Sequence, residues 1–179
     1  MGVTTSFFSA TPEQLEAAAP GWVRAQYGAF AEKEVLNPYT REKTLVKQHE
    51  LLSEPPHDCP RAQIHTLVKR ERQFAWKLGV PELEELMRLM TNAPDDAIAE
   101  LGREALIGPE DAEEWVFEIP EVFANALAGL NSADLPRLAR AWQNRLGWPE
   151  PPVTMLEQLV EVATEAATAR HRMFSYVSV

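Results

Sequence analysis

Apolar positions recur at helical spacing through the second half of the chain. In PELEELMRLM, Leu83, Leu86, Met87 and Met90 fall on one side and Glu82, Glu84 and Glu85 elsewhere, which predicts a helix from Pro81 that ends at Asn92, Ala93 and Pro94. A second short helix is expected from Asp95 to Gly102, burying Ile98 and Leu101, before Leu106-Ile107-Gly108-Pro109 breaks the chain. Val122, Phe123, Ala126, Leu127 and Leu130 make a stripe along Glu121 to Leu130. Leu135, Leu138, Ala139, Trp142 and Leu146 make another, stopped at Gly147. The last predicted helix carries Met155, Leu159, Val162, Ala163, Ala166 and Ala169 on one face and Glu157, Glu161 and Glu165 on the other. Thr154 and Glu157 have the spacing of a capping box at its start.

The first half reads differently. Val3 to Phe8 is a short β-prone run. TPEQLEAA then opens a helix, with Thr11 as N-cap, Pro12 at the first helical position and Gln14 three residues after the cap. Pro20-Gly21 stops it. Glu34 to Leu36 and Thr44 to Lys47 are strand-like and flank a turn-rich centre begun by Asn37-Pro38, a hairpin pattern. SEPPHDCPR is a proline-blocked loop. In AQIHTLVKRERQFAWKL, Ile64, Leu67 and Val68 fit a strand or a helical face, and the strand followed by an irregular or helical link is favoured. EEWVFEIP is either a buried strand or a continuation of helix, ended by Pro120. RMFSYVSV alternates and reads as a closing strand. The sum is a single α+β domain over residues 1–179. Its small, mostly antiparallel sheet is built from the N-terminal strands and the C-terminal strand, packed against a helical middle and C-terminal half.

Charge changes this picture most. The chain has 27 acidic and 17 basic residues and a formal charge of −10. Residues 81–121 hold thirteen of the acids and two cations, Arg88 and Arg103, so this one segment is net −11 and the remainder net +1. Acidic side chains suit helix starts, which accounts for Glu82, Asp95, Asp96, Glu110 and Asp111 one at a time. Their crowding also suits a face for a basic partner, since like-charge repulsion in the free protein is relieved on binding. On that reading the contact residues are Glu110, Asp111, Glu113 and Glu114, supported by Glu82, Glu85, Asp95 and Asp96. The negative field opposes contact with a nucleic-acid backbone, even for the basic-aromatic run VKRERQFAWK.

Candidate chemistry is sparse. His57, Asp58, Cys59 and His65 lie close together, but a structural zinc asks for four ligands, and a nucleophilic thiol asks for a base that spacing alone does not supply. PEDAEE lacks the alternating oxygen ligands and central glycine of a calcium loop. Glycines are scattered, with no phosphate-binding spacing. No catalytic residues, cofactor or metal are therefore expected. The lone Cys59 agrees with a reducing cytoplasm. Neither a secretory leader nor a membrane span is expected. Trp115, Trp142, Trp148, Phe117 and Phe123 read first as core, and alternatively as the lining of a small-ligand or enzyme pocket.

MGVTTSFFSATPEQLEAA is similar to the openings of small bacterial proteins that begin with a strand and a Ser/Thr-Pro-Glu-capped helix. IPEVFANALAGLNSADLPRLARAWQ and the closing RMFSYVSV resemble the C-terminal part of bacterial proteins grouped near the immunity proteins of polymorphic toxin systems. Together these stretches cover about a quarter of the chain. The resemblance implies a small acidic cytoplasmic protein that binds and blocks a toxin. It carries no functional residues over, because the shared motifs are structural punctuation.

Overall fold

The computed structural model describes residues 4–36, 43–51, 63–68, 73–74, 78–91, 93–94, 98, 101, 104–108 and 114–178; for 26–36, 43–51 and 73–74 it describes the backbone alone. The order is β1 (Thr4–Ala10), α1 (Pro12–Ala18), β2 (Val23–Leu36), β3 (Lys43–Leu51), a 3-10 turn (Ile64–Thr66), β4 (Gln73–Phe74) and α2 (Val80–Met90). Then follow β5 (Glu104–Ile107), β6 (Glu114–Glu118), α3 (Glu121–Ala128), a second 3-10 turn (Ser132–Asp134), α4 (Leu135–Leu146), α5 (Val153–Ala169) and β7 (Arg172–Ser178). The strands form one sheet in the order β3-β2-β5-β6-β7-β1-β4. Every described pairing is antiparallel. The fold class is the expected α+β, and the closing strand joins the N-terminal one, with Thr4 opposite Ser178 and Ala10 opposite Arg172.

The sheet has two unlike faces because side chains alternate along each strand. Phe7 and Met173 point into a large core with α2 to α5, where Leu86, Met87, Phe123, Leu127, Trp142, Leu156, Leu159 and Val162 are fully buried. Their neighbours Phe8 and Phe174 point the other way and stack at 5.4 Å. There they meet Leu15, Ala18, Ala19 and Trp22 from α1 and its exit, Ile64 and Val68 from the first 3-10 segment, and Val116. Thr5 is buried between the layers, and its hydroxyl donates to the Leu78 carbonyl at 2.9 Å.

Local signals explain most element ends. Gln14 N–H donates to Thr11 Oγ1 at 3.2 Å and Thr11 N–H to Gln14 Oε1 at 2.9 Å, the reciprocal cap that TPEQ predicts. Gly147 closes α4 in the left-handed conformation at φ 65°. Trp142 Nε1 donates to the Glu82 carbonyl at 2.9 Å and its ring lies 5.2 Å from that of Trp148, so this aromatic pair locks α4 onto the start of α2.

Several expectations change. Leu106-Ile107 is not a break but the end of β5, paired with both β2 and β6, so the middle of the chain supplies two inner strands. EEWVFEIP resolves as strand β6. Ile64–Thr66 forms a 3-10 turn instead of the expected strand. The α5 cap is Pro152, so Thr154 falls inside the first turn and its hydroxyl caps nothing. The helix starts as soon as the proline run ends, too early for the Thr-Glu motif to act. Leu156 is the fully buried residue there, with Met155 half-buried. Val122, assigned to the inner stripe of α3, is 49% exposed, because Phe123 and Leu127 fill the helix's inner face. The β2–β3 pairing is present and longer than expected, from Tyr27 opposite Leu51 to Leu36 opposite Lys43. The expected helix over Asp95 to Gly102 lies largely outside the described residues, with Ile98 and Leu101 buried as anticipated.

Candidate functional site

Of the eight acidic residues expected to bind a partner, Glu110, Asp111, Glu113, Asp95 and Asp96 lie outside the described residues, as do His57 and Cys59. The other three are engaged within the protein. Glu82 Oε2 accepts from Gly79 N–H at 2.8 Å and so caps α2. Glu85 lies 2.9 Å from Arg88 Nη1, and Glu84 lies 3.7 Å from the same nitrogen. Glu114 Oε1 accepts from the Tyr176 hydroxyl at 2.9 Å. Glu82 and Glu85 sit in the helical layer, whereas Glu114 shares a sheet face with Val116 and Tyr176. The structure therefore brings Glu82 and Glu85 together and places Glu114 on the opposite side of the sheet. His65 is exposed on its 3-10 turn, and His171 is half-buried just after Arg170, which ends α5 at φ 56°. Among the described residues no three His, Cys, Asp or Glu side chains gather as a metal site. Trp142 and Phe123, candidates for a pocket lining, are instead fully buried core.

A cleft of about 290 Å³ opens where α1 crosses the sheet, lined by residues the spacing patterns did not single out. The helix presents Pro12, Leu15, Glu16 and Ala19 to it, positions one turn apart along a single face. The sheet supplies Arg24, Leu106, Glu118, Arg172 and Phe174 from four adjacent strands. These residues meet because the register sets Arg24 beside Leu106 and Glu118 beside Phe174. Sequence offers little signal for this, since each cleft residue is an ordinary member of its own element.

Electrostatics in the cleft are nearly balanced. Arg172 Nη1 reaches both Glu118 oxygens, at 3.2 and 3.1 Å. Arg24 Nη1 lies 3.6 Å from Glu104 Oε2. Glu13 ionises more readily than an ordinary glutamate, through hydrogen bonds from its backbone and the Thr11 hydroxyl, with Arg172 adding a favourable charge. Glu16 has no ion-pair partner among the described residues.

Beside the cleft Trp22 is wedged against Gly108, and Gly108 N–H donates to the Glu114 carbonyl at 2.9 Å. Two enclosed polar atoms of these residues, Trp22 Nε1 and Glu114 Oε2, have no hydrogen-bond partner among the described residues. Among the described residues no helix is long and apolar enough to cross a membrane. Comparison of the chain with protein-family models, with curated proteins and with solved structures returns no match.

Proposed function

We propose that this is a non-enzymatic interaction protein that binds a basic protein partner in the bacterial cytoplasm, in the manner of an immunity protein that occupies the cationic surface of a toxin. The observation that carries this reading is the confinement of the chain's negative excess to residues 81–121. Within the described part of that segment Arg88 is the one cation, and Glu84 and Glu85 already share it. Glu104 on β5 and Glu118 on β6 are offset by Arg24 and Arg172 from outside the segment. The residues this reading assigns to the partner are Asp95, Asp96, Glu110, Asp111 and Glu113, with Glu82 and Glu85 of α2 in support. Glu114, tied to Tyr176, contributes through fold more than through contact.

An acidic surface of this kind acts through fast, salt-sensitive association. Immobilised protein should capture its partner from native cell extract at low ionic strength and release it as salt is raised. Capture that persists unchanged in high salt contradicts the reading.

The cleft beside α1 favours a second reading, a small-ligand-binding protein, because it joins an apolar floor to a few charged groups. Its lining is Trp22 and Phe174 instead of the tryptophans of the helical layer.

A further inference from the structure

The cleft between α1 and the sheet has a chemistry of its own, and it points to a class of ligand. We propose that it binds a small free organic amine with an apolar body, the ammonium on Glu16 and the body against Leu15, Leu106, Phe174 and Trp22. The proposal goes beyond the acidic-surface reading and stands independently of it, because the cleft and α2 lie on opposite faces of the sheet.

Size limits the ligand first. At about 290 Å³ the cleft sits at the lower edge of ligand pockets, which start near 300 Å³, so it suits a molecule of one ring or a short chain. The lining then sets polarity. Leu15, Ala19, Leu106, Trp22 and Phe174 line it with apolar groups.

Charge decides the sign. Both arginines in the lining already have a carboxylate beside them, Arg172 that of Glu118 and Arg24 that of Glu104. An anionic ligand would meet arginines whose charge those carboxylates already offset. Glu16 is on the cleft-facing side of α1, and among the described residues nothing neutralises it. A ligand ammonium completes that pair without breaking another.

The test uses the full chain and follows backbone amide shifts by NMR during titration with 2-phenylethylamine, with phenylacetate, and with the tripeptide acetyl-Gly-Lys-Gly-amide. Saturable shifts confined to α1, Leu106 and Phe174 are expected with phenylethylamine. They should weaken about three- to tenfold in Glu16→Gln, an exposed-site change that leaves the remaining spectrum in place. Phenylacetate should give no saturable shifts. Equal or tighter binding of phenylacetate, an unchanged affinity in Glu16→Gln, or no saturation with phenylethylamine overturns the proposal. Tighter binding of the lysine peptide overturns the free-amine assignment and makes the cleft a seat for a lysine of a protein.

Discussion

The ring of Trp22 lies so close to Gly108 that a Cβ at position 108 would stand 2.8 Å from Cζ2 and 3.1 Å from Cε2. Glycine is required here by space, not by an unusual backbone angle. Gly108→Ala must therefore push the indole away from the β5–β6 connection that its own N–H closes onto Glu114. A loss of about 1–3 kcal/mol is expected, the usual cost of overpacking a filled interior. Denaturant unfolding of the variant measures it, and a shift in Trp22 fluorescence should accompany the loss. Unchanged stability means that the ring moves freely and does not wall the cleft.

The Glu114–Tyr176 hydrogen bond stands over an oxygen, Glu114 Oε2, that is enclosed and unpartnered among the described residues. Tyr176→Phe leaves the half-buried carboxylate with neither oxygen served, which should cost about 1–3 kcal/mol. In a Glu114→Leu background the same change should cost much less, because no carboxylate remains to be stranded. A double-mutant cycle on unfolding free energies reads the difference; equal costs in both backgrounds contradict the pairing.

Thr5 ties β1 to the segment leading into α2 through its bond to the Leu78 carbonyl. Thr5→Val keeps the shape, loses the donor and leaves a buried carbonyl unserved. About 1–3 kcal/mol of destabilisation is expected from thermal or denaturant unfolding. Thr154→Val at the start of α5 should be nearly silent, since that hydroxyl caps nothing.

Glu13 supplies a pH prediction. Its carboxyl is held below the ordinary glutamate value by its backbone hydrogen bond and the Thr11 hydroxyl. A lowered folded-state value means that its contribution is present above the unfolded value and is lost as pH falls through the folded one. An NMR titration should place its midpoint below 4.5, the unperturbed glutamate value, and Thr11→Ala should raise it. A midpoint unmoved by that substitution contradicts the assignment.

Elements with strong local chemistry were readable before any coordinates. Thr11, Pro12 and Gln14 announce α1, Gly147 ends α4, and the alternation of RMFSYVSV marks β7. What escaped was decided by distant partners. Glu104–Ile107 is too short for a period to register, and it is a strand because β2 and β6 flank it. Thr154 has the right motif in the wrong place, because Pro152 lets the helix begin at Val153. The cleft escaped for the same reason: Arg24, Glu118 and Arg172 become neighbours through sheet pairing, and Glu16 meets them only where α1 crosses the sheet. The acidic segment was visible as charge, but Glu82, Glu85 and Glu114 each proved to have a partner inside the protein.

Binding of a basic partner by the acidic segment is tested most directly with two variants of equal net charge. One carries Glu110→Lys, Asp111→Lys and Glu113→Lys; the other carries Glu150→Lys, Glu157→Lys and Glu161→Lys, at exposed positions on and before α5. Both are compared with the parent chain for capture of the same salt-eluted species from native cell extract. The account predicts that the first variant loses that species while the second retains it. Equal retention by both, or equal loss from both, would mean that position within the chain is irrelevant and would contradict a dedicated acidic surface.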